Sequence, residues 1–226
     1  SVNTTAGCSI SSYTGTGSNA TVGHGLGAKP DLMIVKNLGA TENWMVYHKG
    51  LDTSAPEDHY ILLNSNAAKV NEATVWNDTA PTSSVFSIGT HAATNQSGNA
   101  HIAYCFTEKT GYSKFGSYTG NGNADGTFIY TGFKPAFLLL KESSSSGEDW
   151  VLQDNKRDTV INPVSAALYA STNSVENTGY RYVDFNSNGF KIRNSQDDYN
   201  TSGSTYIYMA FGQSLVGSNN IPCTAR

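Results

Sequence analysis

The side chains of this sequence that suit ligand binding are aromatic residues set among amides, hydroxyls and carboxylates. Trp76 is followed directly by Asn77 and Asp78, and Tyr180 and Tyr182 lie in a polar stretch further along the chain. Sugar rings stack their C–H faces on Trp and Tyr, while amides and carboxylates hydrogen-bond to sugar hydroxyls. These five residues are the candidate ligand-binding positions. For Trp76, packing in a core is the competing role.

A second candidate site has the residue types of a calcium loop. Asn121, Asn123 and Asp125 place oxygen atoms at alternate positions before Gly126, as the start of such a loop does. The acid expected at the twelfth position is missing, because Gly132 stands there. An Asn/Asp-Gly hairpin turn explains the same residues without a metal. We therefore expect no bound metal and no cofactor.

Residues suited to catalysis show no convincing arrangement. A glycan-cleaving enzyme needs two carboxyl groups across the scissile bond, and the adjacent acids lie in polar stretches typical of solvated loops. The histidines follow no metal-ligand spacing, and all of them precede residue 110. The sequence predicts a protein that is not an enzyme. The paired acids are Glu57-Asp58, Glu148-Asp149 and Asp197-Asp198, and the histidines are His24, His48, His59, His91 and His101.

The composition favours short strands joined by tight turns. Charged residues make up only 14% of the chain, well below the roughly 25% usual for soluble domains, while Gly (22) and Tyr (13) are abundant. Aromatic residues suit pleated strands, and Gly and Asn suit turns. A net charge of −4 gives no footprint for nucleic acid. No apolar run approaches 18 residues, so we expect no membrane insertion.

The three cysteines are too few and too scattered for a disulfide framework. Cys105 lies in an apolar run and is predicted to be a buried small hydrophobe. Cys8 and Cys223 lie near the two ends and could pair if those segments meet; the sequence leaves this open.

An internal repeat organises the chain. Residues 12–17 (SYTGTG) recur as residues 117–122 (SYTGNG), an offset of 105. Matches continue in the same order and at nearly the same offset, which indicates an internal duplication of about 105 residues. Residues 1–110 form the first predicted repeat and 111–226 the second, closely packed on it. Trp44 and Trp150 recur as equivalents, so we predict that both are core anchors.

Each repeat contains short apolar or alternating runs of the length of strands. The runs at 31–36 and 136–141 are each followed by a Trp-bearing run and read as hairpins. The runs at 100–106 and 205–211 are apolar on both faces, which predicts central strands. The segment 64–72 is predicted to be a loop or a single turn. The predicted fold is an all-β, antiparallel, jelly-roll-like β-sandwich; whether the repeats form one sandwich or two stays open.

Several long phrases carry a family resemblance. They are "SYTGTGSNATVGHGLGAKPDLMIVKN", "WNDTAPTSSVFSIGT", "AYCFTEKTGYSKFGSYTGNGNADGTFIYTGFKPAFLLLK" and "SGSTYIYMAFGQS". Together they resemble phage and prophage virion proteins of a tail-fibre-like type, a β-rich domain family common in marine and cyanobacterial phages. The resemblance implies a virion location and a β-rich fold. It implies no catalytic or binding residue.

The expectation from residues and resemblance together is a receptor-binding virion protein. It would be assembled in the cytoplasm of a bacterial host, exposed on the particle surface, and associated with other virion proteins as a homotrimer. Its partner would be a host surface polysaccharide or lipopolysaccharide, bound by loops on a rigid sandwich. One alternative is a structural virion protein, such as a capsid decoration or tail component, without glycan binding. A glycan depolymerase is the other.

Overall fold

The computed structural model describes residues 1–158 and 162–212. This part of the chain is built from short strands, all paired antiparallel, and a few single helical turns. In chain order the strands are β1 (Val2–Asn3), β2 (Cys8–Thr14), β3 (Ala20–Gly23), β4 (Leu32–Asn37), β5 (Met45–His48), β6 (His59–Leu62), β7 (Val70–Asn71), β8 (Val85–Ile88), β9 (Ala100–Phe106), β10 (Ser113–Thr119), β11 (Phe128–Tyr130), β12 (Pro135–Glu142), β13 (Val151–Asp154), β14 (Leu168–Tyr169), β15 (Val183–Asn186), β16 (Gly189–Ile192) and β17 (Thr205–Gly212). The helical turns are α1 (Ala73–Trp76), α2 (Ala92–Asn95), α3 (Asp197–Asn200) and a 3₁₀ turn at Pro56–Asp58.

The chain divides into two compact units. The first unit contains Ser1–Glu108 together with Ser143–Gly147, and the second contains Lys109–Glu142 with the described residues from Glu148 onward. Ser143–Gly147 is held in the first unit by backbone bonds, such as the one that Lys69 N donates to the Ser143 carbonyl at 3.0 Å.

The two units have the same strand order in their larger sheets. The first runs β1-β2-β9-β4-β5-β6-β7, and the second runs β10-β17-β12-β13-β14. Without β1 and β7 the two orders correspond strand for strand. The predicted hairpins β4–β5 and β12–β13 are confirmed, and so are the central positions of β9 and β17. The segment 64–72, expected to be a loop or turn, also contains the short strand β7.

Each unit is an antiparallel β-sandwich, because a smaller sheet covers one face of its larger sheet. The smaller sheets are β3-β8 in the first unit and β11-β16-β15 in the second. In the first core, Phe86 and Ile88 of β8 join Met33 and Val35 of β4. In the second core, residues of β15 and β16 join those of β12 and β17. Cys105 is fully buried in the first core, as predicted.

The repeated Tyr-Thr-Gly motif ends β2 and β10 and fixes each strand end to a helical turn. Tyr13 Oη donates to the Thr94 carbonyl (2.6 Å), and Tyr118 Oη donates to the Tyr199 carbonyl (2.8 Å). The motif's first glycine passes so close to this turn that a Cβ on Gly120 would collide with the Thr201 carbonyl oxygen. The motif is therefore explained by the fold.

A buried asparagine completes the same junction in each unit. Asn95 accepts a hydrogen bond from Thr16 N (2.7 Å) and donates to the carbonyls of Ser18 and Gly89 (both 2.7 Å). Asn200 repeats all three bonds in the second unit. It accepts from Asn121 N (2.9 Å) and donates to the carbonyls of Asn123 (2.7 Å) and Asn194 (2.9 Å). One amide thus links three loop segments in each unit.

The two predicted tryptophan anchors differ in burial. Both precede their strands, and the carbonyl of each accepts a backbone bond at 3.1 Å, Trp44 from Leu63 and Trp150 from Ala170. The Trp150 side chain is buried as predicted, with 2% exposed. Trp44 is only half-buried, so its prediction as a core anchor is wrong. Cys223, which the sequence left open as a possible partner of Cys8, lies outside the described residues.

Candidate functional site

Trp76, the first candidate from the sequence, lies in the core of the first unit. It is the last residue of α1, its side chain is 1% exposed, and its ring packs edge-to-face on Tyr47 at 6.3 Å. A ring in this position cannot stack on a ligand, so the binding role is corrected to packing. Asn77 caps the helical turn in the left-handed region (φ 56°), and its N–H donates to the Ala73 carbonyl. The polar residues that suggested an exposed loop instead end a buried turn.

Asn77 and Asp78 shape a surface turn beside that core. Both have positive φ (56° and 42°), a conformation that Asn and Asp tolerate better than most residues. The Asn77 side-chain oxygen accepts a hydrogen bond from the Asn19 amide at 2.6 Å. Thr79 Oγ1 donates to the Asn77 carbonyl at 2.6 Å. Their residue types are explained by turn geometry.

The calcium-like residues form hydrogen bonds within their own loop. Asn121 Oδ1 accepts from Asn123 N (3.0 Å), and Asn123 Oδ1 accepts from Asp125 N (2.8 Å). Asp125 Oδ1 pairs with Lys191 Nζ at 2.8 Å, and this bond lowers the pKa of Asp125. The hairpin-turn explanation is wrong, because the loop carries the chain from β10 to β11 in a different sheet.

The histidines of the first unit have packing or turn roles. His101 stacks on Tyr13 (ring centroids 5.1 Å apart), as Tyr206 stacks on Tyr118 at 5.0 Å in the second unit. Burial lowers the pKa of His24. Within residues 1–158 and 162–212, no three His, Cys, Asp or Glu side chains are grouped to hold a metal ion.

Tyr182 lines a cleft of about 470 Å³ in the second unit, a volume in the range of small-ligand sites. Tyr180 is 72% exposed and does not line it. The cleft combines an aromatic ring, two carboxylates, a guanidinium and three hydroxyls. Its lining residues are Arg157, Asp158, Pro163, Ser165, Ala166, Glu176, Thr178 and Tyr182.

One wall of the cleft is built on a carboxylate cap that both units share. Asp158 accepts hydrogen bonds from Ser165 N (2.6 Å), Ala166 N (2.8 Å) and Ser165 Oγ (3.1 Å). In the first unit, Asp52 accepts the same set from Ser54 and the residue after it. Ser54 follows its aspartate by two residues, whereas Ser165 follows by seven. The second unit therefore has five additional residues inside the cap, and Pro163 of the cleft is one of them.

The opposite side of the cleft is tied together by Arg157. Its Nε donates to Asp154 Oδ2 at 2.7 Å, and one terminal nitrogen donates to Glu176 Oε1 at 3.2 Å. Asp154 is the last residue of β13, so this bridge anchors the loop that carries Glu176 and Thr178 to the sheet. The guanidinium has N–H groups beyond these two and can donate to a ligand as well.

The residue before Tyr182, Arg181, forms a largely buried ion pair with Asp198. Arg181 Nε donates to Asp198 Oδ2 at 2.6 Å, and its guanidinium lies 5.5 Å from the centre of the Tyr169 ring. Burial raises the pKa of Asp198, and the Arg181 charge opposes that shift. The Tyr182 carbonyl accepts from Arg193 N at 2.8 Å. The Arg181 carbonyl also accepts a bond from the Gln153 amide at 2.8 Å, so the main chain at Arg181 and Tyr182 is tied to neighbouring segments.

The charges of the cleft restrict what it can bind. Arg157 supplies one positive charge at the cleft. Three carboxylates oppose it: Asp154 and Glu176, which bond to Arg157, and Asp158, which caps the wall. Excess negative charge disfavours phosphate and carboxylate ligands. A carboxylate, a guanidinium and hydroxyls beside a tyrosine ring suit an uncharged or amine-bearing molecule rich in hydroxyl groups.

Sequence reasoning identified Tyr182 but missed Arg157, Asp158 and Glu176. Asp52 and Asp158 are equivalent positions of the two repeats. The signal in the sequence was that the next serine follows Asp52 by two residues but the capping Ser165 follows Asp158 by seven. In the described part of the chain, no helix is long and apolar enough to cross a membrane.

Comparison with known proteins places the chain in a family. A protein family described as a domain of unknown function matches residues 1–214. Neither the curated proteins nor the solved structures contain a significant match.

Proposed function

The chain belongs to that family, DUF7483, and we propose that this member is a non-enzymatic, glycan-binding protein of a phage particle surface. The observation that carries the proposal is the cleft at Tyr182 in the second unit. The resemblance of the repeated phrases to tail-fibre-like virion proteins supports the location. A homotrimer would strengthen attachment to a repeating polysaccharide through multivalency.

The chemistry of the cleft favours a particular part of a host surface. Its negative charges disfavour the phosphorylated core of a lipopolysaccharide and favour uncharged or amine-bearing sugars. Such sugars occur in surface polysaccharides and in the outer chains of lipopolysaccharides. Tyr182 supplies the stacking surface, while Glu176 and Arg157 supply hydrogen bonds that orient the hydroxyl groups.

Binding is favoured over hydrolysis by the role of Asp158. Its two oxygens accept three hydrogen bonds from the loop that it caps. A retaining or inverting mechanism requires two carboxyl groups that can exchange protons with the substrate or attack it. Of the two carboxylates among the described lining residues, Asp158 is engaged in shaping the wall and Glu176 is bonded to Arg157 through one oxygen, so Glu176 contacts the ligand through the other, which suits recognition.

The proposal is tested on an array of bacterial polysaccharides with the full chain and with Tyr182→Ala, Glu176→Gln and Asn173→Ala. Asn173 is an exposed residue of the same loop and serves as the control. We expect the wild type and the control to bind the same neutral or amine-bearing glycans and both cleft variants to bind roughly tenfold or more weakly. No binding to any glycan by the folded chain would favour the structural virion alternative. Release of new reducing ends would indicate a depolymerase.

A further inference from the structure

The outer face of the smaller sheet in the second unit exposes two aromatic side chains. Phe128 and Tyr130 of β11 are 44% and 65% exposed, whereas Ile129 between them points inward and is buried. Alternate residues of a strand lie on one face about 6.7 Å apart. The two rings therefore stand side by side at the edge of the sheet.

The neighbouring strands leave room for these rings and border them with charge. Phe128 is opposite Lys191, and Tyr130 is opposite Gly189. A Cβ on Gly189 would lie 3.0 Å from Phe128 Cζ, so the phenyl ring extends across the strand over a residue without a side chain. Lys191 pairs with Asp125 at 2.8 Å, and Arg193 pairs with Asp184 at 3.0 Å.

The first unit does not have this aromatic pair. In the first unit Val22 is opposite Phe86, and in the second Ile129 is opposite Phe190. Aligned on these inward pairs, Phe128 and Tyr130 take the places of Thr21 and Gly23. The inward apolar residue is kept and the outward aromatic residues are not, so the shared fold does not require them.

The same face leads to the cleft. Val183, the first residue of β15, points inward and is buried, so Asp184 and Asn186 of β15, and Tyr182 directly before it, alternate onto the outer face. Phe128, Lys191 and Asp184 face one another across the three strands and form one row of outward side chains. Tyr182 and Arg193 form the adjacent outward row, two residues further along the strands. Two strand spacings and one row separate Tyr182 from Phe128 by about 12 Å. The face between them is polar and charged.

We infer that this outer face continues the binding site of the cleft, and that the ligand is a saccharide chain spanning several sugars rather than a single terminal sugar. The inference rests on the proposed function for the cleft end and adds Phe128 and Tyr130 as a second stacking point. A protein partner fits this face less well, because an ordinary protein interface buries about 800 Å² per partner around an apolar centre. Here two rings are bordered by ion pairs. A saccharide chain, in contrast, requires only an aromatic ring of the protein under individual sugars and polar side chains between those rings.

The test uses the full chain and a double variant, Phe128→Thr with Tyr130→Thr, which restores a strand-forming polar residue such as Thr21. Ile10→Thr, at an exposed apolar strand position 39% accessible, is the matched control. Affinity electrophoresis in gels containing cellulose derivatives, mixed-linkage β-glucan, dextran, mannan, glycol chitin or agarose identifies retarding polysaccharides. Calorimetry with oligosaccharides of one to six residues from each retarding polysaccharide then gives the affinity against chain length.

We expect wild-type affinity to rise with chain length, and the double variant to lose roughly tenfold or more on the longest oligosaccharide while retaining its affinity for the shortest. Tyr182→Ala weakens binding at every length, which separates failure of the cleft from failure of the extended face. The inference is wrong if no polysaccharide retards the chain, or if the double variant and Ile10→Thr have equal affinities at every length. A change in sedimentation of the double variant would also overturn it, because the face would then be a contact between copies.

Discussion

Replacing Asn200 with Ala removes the amide that joins three segments of the second unit. Asn200 is fully buried, and its side chain accepts one backbone N–H and donates to two backbone carbonyls. Alanine leaves all three backbone partners in place without the groups that satisfied them. Each such bond contributes about 1 kcal/mol net, and an unsatisfied buried partner costs at least as much.

The expected loss is therefore about 3 kcal/mol of the free energy of unfolding of the second unit. For a domain of about 100 residues this corresponds to a fall in midpoint temperature of roughly 12 °C or more. Asn95→Ala removes the matching three bonds in the first unit and should cost that unit a similar amount. Asn173→Ala, at an exposed position, should change neither unit by more than about 0.5 kcal/mol.

Native-state hydrogen exchange measured by mass spectrometry assigns each loss to its unit. Asn200→Ala should lower protection in peptides from β10 and β17, and Asn95→Ala in peptides from β2 and β9. Urea titration gives the size of the effect. A loss below about 1 kcal/mol for Asn200→Ala would show that water replaces the amide, and that the junction does not depend on it.

Three further predictions concern Trp150, Arg181 and Lys141 of the second unit. Trp150→Ala should cost about 3–5 kcal/mol in urea titrations, and Trp44→Ala clearly less, because only Trp150 is fully enclosed; equal costs would contradict this. Arg181→Ala leaves the Asp198 carboxylate buried without its cation and should cost about 3–5 kcal/mol near pH 7 and progressively less as the pH falls, because burial raises the pKa of Asp198 and protonation removes the unpaired charge; a loss that does not depend on pH would exclude this cause. Burial lowers the pKa of Lys141 to about 8 from 10.5, so between those values the unfolded chain binds more protons and stability rises with pH. Relative to Lys141→Met, wild-type stability should rise by at most about 1.4 kcal/mol per pH unit, and parallel curves would show that Lys141 does not titrate in this window.

The strands were predictable because their signal is local. Runs such as 100–106 and 205–211 are apolar on both faces, and both became central strands. The helical turns were not predictable, since four residues cannot show a helical period. Trp76 was misassigned for this reason, because a one-turn helix buried a ring that the surrounding polar residues suggested was exposed.

The candidate site was only partly predictable because it depends on neighbours distant in sequence. Tyr182 stood out as an aromatic residue in polar surroundings. Arg157, Asp158 and Glu176 have ordinary surface residue types, and the bonds that assemble them into a cleft reach across as many as 19 positions. The unequal spacing after Asp52 and Asp158 was visible in the sequence, yet its meaning required the shared carboxylate cap.

That cap makes the loop a natural place for engineering. Asp158 and Ser165 close the loop at its base, as Asp52 and Ser54 do with five fewer residues. The same cap therefore encloses one residue in the first unit and six in the second, and enclosing more residues adds little entropic cost. Peptide libraries of varied length, inserted between Asp52 and Ser54, could be displayed on the first unit as a designed second specificity.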